Sequence, residues 1–78
     1  FLVPGDTGAA VTLLQTRLNQ IAAKNDAIPA VAVDGVYGQE TARAVRAVQR
    51  LLGYSPTGAV GPVLWAYIIT QGQGYGVS

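Results

Sequence analysis

The sequence predicts an all-α fold, a compact domain of three helices joined by glycine-rich turns. Apolar residues recur at helical spacing in three segments of the chain. The second and third segments each follow a turn with the skeleton (Asp/Thr)-Gly-x-(Tyr/Val)-Gly-x-x-(Thr/Leu), at residues 34–41 and 57–64. A second pattern, Val-x-x-(Leu/Val)-Gln-x-x-Leu, occurs at 11–18 and again 34 residues later at 45–52. Two copies are too few for a helical solenoid, so the repeats indicate one domain with internal pseudo-repetition.

The first helix is predicted over residues 8–24. Thr7 is a suitable N-cap residue, and Lys24 in the last turn places a cation where the helix dipole favours one. Residues 25–32 follow as a loop, with a loose alternation of apolar residues that is compatible with a short extended piece. The apolar positions of the helix form one stripe: Val11, Leu14, Leu18, Ile21 and Ala22.

The second helix is predicted over residues 39–52. It follows the turn at Asp34-Gly35, and Gly53 is a natural residue to end it. Its predicted core face consists of Thr41, Val45, Val48, Gln49 and Leu52.

The third helix is predicted over residues 62–70. It begins at Gly61-Pro62, because proline is favoured at the first position of a helix. Its apolar side holds Trp65, Ile68 and Ile69. Residues 71–78 contain three glycines and are predicted to be a flexible tail or linker, which leaves a domain over residues 1–70.

The aromatic residues are expected to divide between core and surface. Trp65 is assigned to the core, because so small a domain needs its largest side chain inside. Tyr37, Tyr54 and Tyr67 are better candidates for the surface, since an aromatic ring with a polar tip suits both stacking and hydrogen bonding. Tyr37 follows the turn directly and is expected to be half-buried.

Composition excludes several classes of function. The 78 residues suffice for one domain. They contain no cysteine or histidine, so we expect no disulfide, metal site or cofactor, and no catalytic triad or thiol nucleophile. The net charge of +1 is too small for a dedicated nucleic-acid binder. No apolar run approaches the roughly 20 residues of a membrane span, so no membrane partner is expected.

The acidic residues do not form a convincing catalytic pair. A glycosidase needs two carboxylates across a cleft. Asp34 and Glu40 are close in sequence, but Glu40 lies in the first turn of a predicted helix, where an acidic side chain commonly stabilises the helix through its dipole. We therefore expect no enzyme. The chain begins with Phe1 and shows no signal peptide, and we expect it to be a monomeric part of something larger.

Three polar residues require partners. Asp34 either binds backbone N–H groups two residues on and fixes its own turn, which we favour, or faces a ligand. Gln15 and Gln49 each lie within the apolar arc of a helix, where an unpaired amide would cost stability. We predict that each binds the backbone of a neighbouring glycine turn, with ligand contact as the lesser alternative.

Three arginines, Arg43, Arg46 and Arg50, fall on one side of the second helix, opposite its core face. The favoured interpretation is a solvated face, with Glu40 paired to Arg43. The alternative is a shallow basic strip that meets carboxylates on a partner.

Taken in order, four pieces of the sequence resemble the peptidoglycan-binding-like domain, a three-helix repeat attached to many bacterial cell-wall hydrolases and spore proteins. The resemblance covers about residues 3–70. Val48 stands where the family usually has phenylalanine, and Gln39 stands where proline often opens the helix. The matching pieces are Gly5-Asp6-Thr7-Gly8, Val11-x-x-Leu14-Gln15-x-x-Leu18, Val33-Asp34-Gly35-Val36-Tyr37-Gly38-x-x-Thr41-x-x-Ala44-Val45-x-x-Val48-Gln49 and Gly58-x-Val60-Gly61-Pro62-x-x-Trp65.

The resemblance implies a non-catalytic module that binds the glycan or stem peptide of peptidoglycan. It would anchor a fused or neighbouring domain, such as a hydrolase, in the cell wall or spore envelope. Stem carboxylates would meet Arg43 or a helix N-terminus. The alternative is a protein interaction or spacer module of a larger surface or spore protein. Carried over by motif, the ligand-binding residues would be Asp34, Gly35, Tyr37, Gly38, Gln39 and Thr41. The fold also resembles the pro-segment domain of matrix metalloproteases, whose zinc-blocking cysteine this chain lacks.

Overall fold

The computed structural model describes the backbone of residues 2–74 and the side chains of residues 2–71. Three helices make up the fold: α1 (Ala9–Ala22), α2 (Gln39–Leu51) and α3 (Pro62–Gly74). Within residues 2–74 there is no β-strand, only two isolated antiparallel bridges. The predicted all-α class and the order of the helices are confirmed.

The start of α1 differs from the prediction. Its N-cap residue is Gly8, not Thr7, and no side chain caps the helix. Thr7 instead forms an antiparallel bridge with Val36, so the chain turns into the helix one residue later. Gly8 makes that turn at φ 116°, a backbone conformation that glycine adopts without steric cost.

The end of α1 also falls earlier than expected. The helix ends at Ala22, and Lys24 lies beyond its last turn. The N–H of Lys24 donates to the Ile21 carbonyl at 3.0 Å, and that of Asn25 donates to the Ala22 carbonyl at 3.3 Å. These three-residue bonds tighten the chain and satisfy carbonyls that the helix leaves free.

The third helix is longer than the sequence suggests. It continues to Gly74, four residues past the predicted end at Thr70, while residues 75–78 of the predicted tail lie outside the described residues. Glycine weakens a helix by about 1 kcal/mol relative to alanine, but it does not stop one as proline does. α3 packs extensively on α1, and this tertiary contact favours the helix over its own weak propensity.

The core is formed chiefly by aliphatic residues from the faces predicted for the first two helices. Val11, Leu14, Leu18 and Ile21 are buried along α1, and Val45 and Val48 are buried on α2. Leu64 and Ile68 are the buried residues of α3, with Val60 preceding them. Ile28 and Val31 from the loop close one end of the core.

The aromatic residues are placed differently from the prediction. Trp65 is only partly buried at the edge of the core, whereas Tyr37 is 1% exposed and is among the largest fully buried side chains. The reason for Trp65 is helical register. The inward face of α3 passes through Leu64 and Ile68, four residues apart, and Trp65 lies to one side of it.

The N-terminal segment, residues 2–8, ties the two glycine turns together. We call residues 34–38 the first corner and residues 57–61 the second corner. Leu2 exchanges two backbone hydrogen bonds with Val60, at 3.0 and 2.8 Å, in the second corner. In the first corner the N–H of Tyr37 donates to the Asp6 carbonyl at 2.9 Å. The segment therefore fixes the two corners relative to each other.

Among residues 2–74, no helix has both the length and the apolar character that crossing a membrane requires.

Candidate functional site

Gln15 of α1 binds the first corner through both ends of its side-chain amide. Its Oε1 accepts hydrogen bonds from the backbone N–H groups of Asp34, at 3.1 Å, and Gly35, at 2.9 Å. Its Nε2 donates to the carbonyl of Val36 at 2.9 Å. The predicted contact between this glutamine and a glycine turn is present. Because Gln15 is only 1% exposed, these bonds replace the water that its amide gives up.

Asp34 fixes the same corner from within. Its Oδ1 accepts from the Val36 N–H at 3.0 Å, which is the predicted turn-forming bond, and from Gln15 Nε2 at 2.9 Å. The bond from Gln15 first, and then that from Val36, hold the pKa of the Asp34 carboxyl below its ordinary value, because they favour the ionised form. The side chain is exposed, so the first corner presents a carboxylate to solvent at neutral pH.

Gly35 is required by the geometry of the corner. Its φ of 73° lies in the left-handed region, and a Cβ there would come within 3.0 Å of Thr12 Oγ1. Its backbone N–H is one of the two that Gln15 holds. Gly35 therefore determines the conformation of the corner through its backbone and does not line the corner cavity.

The second corner repeats this arrangement with Gln49 of α2. Gln49 Oε1 accepts from the Gly58 N–H at 3.0 Å, and Nε2 donates to the Ala59 carbonyl at 3.1 Å and to Thr57 Oγ1 at 3.0 Å. Thr57 Oγ1 also accepts from the Ala59 N–H at 3.3 Å, as Asp34 Oδ1 does in the first corner. The contact predicted for Gln49 is therefore present as well.

A surface cavity of about 250 Å³ opens beside the first corner. We call it the corner cavity. Its polar side chains come from α1, the corner and the first turn of α2, and its remaining lining is small or apolar. The lining residues are Gln15, Ala32, Asp34, Val36, Gly38, Gln39, Glu40 and Thr41.

Four of the seven residues predicted to contact a ligand line the corner cavity: Asp34, Gly38, Gln39 and Thr41. The other three, Gly35, Tyr37 and Arg43, do not line it. Arg43 is exposed on α2, three residues after Glu40.

Tyr37 is buried instead of exposed, and its hydroxyl is already occupied. It donates to the Gly58 carbonyl of the second corner at 2.5 Å. Burial raises the pKa of Tyr37 from 10.0 to about 12, with the positive charge of Arg46 opposing the shift. Tyr37 thus joins the two corners through the core. Sequence reasoning missed this because the polar tip of a tyrosine suits a surface equally well.

Several lining residues were not predicted. Glu40 was assigned to helix stabilisation and to a pair with Arg43, and Ala32 and Val36 were not expected to contact a ligand. Asn19, one helical turn after Gln15, was also missed: its Oδ1 accepts from the Val31 N–H at 2.7 Å and its Nδ2 donates to the Val31 carbonyl at 2.8 Å. This pair fixes the loop beside Ala32. The four-residue spacing of two amides on one helix face was the available signal.

The arginines do not form a uniform solvated strip. Arg43 and Arg50 are exposed, but Arg46 is partly buried against the second corner, where its Nη1 would lie 3.1 Å from a Cβ at Gly58. Within residues 2–71, no ion pair joins Glu40 to Arg43, contrary to the prediction. Both side chains are exposed, and in such positions an ion pair contributes little stability.

The site offers hydrogen bonds and charge but no evident reactive group. In the described part of the chain, no cluster of acidic residues could hold a metal ion. Of its side chains, two carboxylates, two amides and one hydroxyl face the cavity. This set can bind a polar ligand.

The fold and the cavity together define a small all-α domain with a polar cavity beside a glycine corner. The chain belongs to the family described as "Putative peptidoglycan binding domain", whose model matches residues 7–68. This match includes both corners and confirms the resemblance. No curated protein and no solved structure shows significant similarity to the chain.

Proposed function

We propose that this domain is a non-catalytic module that binds peptidoglycan through the corner cavity and anchors a fused or neighbouring domain to the bacterial wall. It would act outside the cytoplasm, in the wall or a spore envelope, as a monomer within a larger protein. The observation that carries the proposal is the corner cavity itself. Four residues of the family motif line it, inside the segment that matches the family.

The chemistry of the cavity suits a wall polymer. Peptidoglycan offers hydroxyl and amide groups, which hydrogen-bond to the carboxylates, amides and hydroxyl that line the cavity. The volume of about 250 Å³ lies just below the usual range of ligand pockets, so it suits one sugar or a short piece of stem peptide. Such a contact is weak alone. Tandem modules or a fused domain would raise the retention of the whole protein by effective concentration.

The carboxylates support binding over hydrolysis. A glycosidase needs a general acid whose pKa is raised, so that it holds a proton at neutral pH. The pKa of Asp34 is instead lowered. The chain also contains no histidine or cysteine, so it lacks the commonest general base and the thiol nucleophile.

Retention on purified sacculi tests this function, with two matched variants. Ala32 lines the cavity and Ala30 does not, yet both are exposed alanines of the same loop. Ala32→Trp should fill the cavity without removing any side-chain hydrogen bond. We expect it to lower retention about tenfold, which corresponds to about 1.4 kcal/mol. Ala30→Trp should bind like the wild type. Absence of wild-type retention, or equal retention of Ala32→Trp, would refute the proposal.

The alternative, an interaction or spacer module, has one observation in its favour. Val63 of α3 is 69% exposed, the highest fraction among the exposed large hydrophobic residues in the described part of the chain. An interaction or spacer module should not be retained on sacculi. It should instead bind a protein partner, and Val63→Lys should abolish that binding. Peptidoglycan binding through the corner cavity instead predicts that Val63→Lys is retained like the wild type.

A further inference from the structure

The orientation of the Gln15 amide is fixed by the backbone around it. Asp34 and Gly35 present N–H donors, so the atom facing them must be the oxygen. The Val36 carbonyl is an acceptor, so the atom facing it must be the nitrogen. An exchange of the two atoms would place donors against donors.

This orientation determines what Thr41 can do. Thr41 Oγ1 lies 3.0 Å from Gln15 Nε2, which can only donate, so the threonine hydroxyl can act there only as an acceptor that shares the two amide hydrogens with Asp34 and Val36. Among the described residues, no acceptor receives the proton of this hydroxyl. Thr41 is 2% exposed and lines the corner cavity. A buried donor without an acceptor is costly, and the cavity is where a ligand could supply one.

The rim of the cavity, in contrast to the hydroxyl donor of Thr41, presents hydrogen-bond acceptors with negative charge. Asp34 uses one oxygen, Oδ1, for both of its hydrogen bonds, and its Oδ2 has no partner within the described residues. Glu40 is exposed and lines the cavity from the first turn of α2. The lining includes no lysine or arginine. A ligand therefore meets two carboxylates at the rim and one hydroxyl donor beneath them.

We infer that the corner cavity recognises the peptide part of peptidoglycan: an amide carbonyl accepts from Thr41, and a free ammonium group of a diamino acid side chain binds Asp34 and Glu40. This inference rests on the proposed function and names its ligand. A neutral sugar can only donate hydrogen bonds to these two carboxylates, whereas an ammonium group is also attracted by both negative charges. Cross-linking of the wall converts that ammonium group into a neutral amide. The site therefore selects stem peptides that are not cross-linked through this amine.

The size of the preference follows from charge. At contact distance in water-like surroundings, one pair of unit charges changes affinity by about fivefold. We therefore expect a stem peptide with a free lysine amine to bind at least about fivefold more tightly than the same peptide with that amine acetylated.

Two substitutions separate the groups involved. Asp34→Asn keeps the Oδ1 acceptor and removes one of the two charges, so it should lower the preference for the free amine by about the fivefold that one charge pair contributes. Thr41→Val removes the hydroxyl but leaves Gln15 Nε2 with Asp34 and Val36 as acceptors for its two hydrogens. It should weaken both peptides equally, and Thr41→Ser should restore binding. Asp26→Asn and Thr16→Val, which alter residues outside the cavity, serve as controls.

The experiment is a titration of the ¹⁵N-labelled chain with the two stem peptides and with a disaccharide that lacks peptide, in parallel with retention on native and amine-acetylated sacculi. We expect the free-amine peptide to bind best, the disaccharide to cause no shifts at the cavity, and acetylation to lower retention. Equal binding of both peptides, or a stronger response to the disaccharide, would overturn the inference while retention on native sacculi still supports the proposed function. Loss of retention on native sacculi would overturn both.

Discussion

The two corners of this domain use one structural device and differ in what surrounds it. In each, a glutamine from the preceding helix holds the backbone of a glycine turn, and an oxygen at the head of the turn accepts an N–H two residues on. The first corner is followed by Thr41 and opens into a cavity. At the equivalent position the second corner has Leu64, a buried core residue. The glutamine therefore stabilises the turn in both corners, and the two corners differ in the side chains that surround them.

The second corner is also closed from two further sides. The Tyr37 hydroxyl donates to the Gly58 carbonyl, and Arg46 lies close over Gly58. At the first corner, the Gly35 carbonyl likewise accepts from the Gly8 N–H at 3.0 Å and Thr12 lies beside Gly35, but the side that faces Glu40 and Thr41 opens into the corner cavity. A repeat in sequence thus yields one closed corner that stabilises the domain and one open corner that can bind.

The largest expected effect is the loss of a glutamine. Gln15→Leu leaves the N–H groups of Asp34 and Gly35 and the Val36 carbonyl without their partner, at about 1 kcal/mol or more each. We expect unfolding free energy to fall by about 3 kcal/mol, measured by urea denaturation. Gln49→Leu, which strands fewer backbone groups, should cost about 2 kcal/mol. The exposed Gln20→Leu is the control, and equal stability of all three variants would contradict this role.

A smaller effect is expected from adding a methyl group to a corner glycine. Gly35→Ala forces alanine into φ 73° and brings its Cβ to 3.0 Å from Thr12 Oγ1. This should cost about 1–2 kcal/mol. Gly38→Ala is the matched change, because Gly38 has φ −100° and no atom beyond its neighbours within 4 Å of a Cβ. Thermal unfolding should separate the two variants, and a larger loss for Gly38→Ala would be inconsistent with this geometry.

Tyr37→Phe tests the link between the corners. It leaves the Gly58 carbonyl unpaired and should cost about 1–2 kcal/mol at neutral pH. The pKa of Tyr37 is raised from 10.0 to about 12, so the unfolded chain releases this proton first. The stabilisation is thus fully present below pH 10 and is lost as pH rises towards 12. Denaturation between pH 9 and 12 should show this loss in the wild type and much less of it in Tyr37→Phe. Identical profiles would exclude this tyrosine as the cause.

The smallest effect concerns Asp34 in acid. Its pKa is lowered from 3.8 by the bonds from Gln15 and Val36, so the folded state holds this proton less tightly than the unfolded chain. The contribution is present above pH 3.8 and is lost as pH falls below it. Melting temperature between pH 6 and 2 should fall slightly more for the wild type than for Asp34→Asn, which keeps the acceptor. An equal fall in both would show that the charge adds nothing to stability.

Much of the fold could be predicted from the sequence. The apolar stripe predicted α1. The amide of Gln15 lies within that stripe and is buried, so it needed a polar partner, which the backbone of a neighbouring glycine turn supplies. The length of α3 could not be predicted, because glycine weakens a helix without stopping it, so the composition of this segment does not determine where the helix ends. The sequence also did not predict that Tyr37 is buried and Trp65 only partly buried. Which aromatic is buried depends on the helical register and on whether its polar tip finds an acceptor.

Less of the site could be predicted. The motif indicated Asp34, Gly38, Gln39 and Thr41, which do line one cavity. The motif did not indicate Glu40 or Ala32, since their approach depends on how the loop and the first turn of α2 meet in space. That the Thr41 hydroxyl has a hydrogen without an acceptor among the described residues follows only from the orientation of the Gln15 amide, which its backbone partners determine.

The most direct test of the central claim is a chemical-shift map of the domain titrated with soluble peptidoglycan fragments. If only the open corner binds, the amide resonances of Gly38, Gln39 and Thr41 should move while those of Gly58 and Ala59 in the closed corner stay still. Shifts centred on the closed corner, or no shifts in either, would contradict the account.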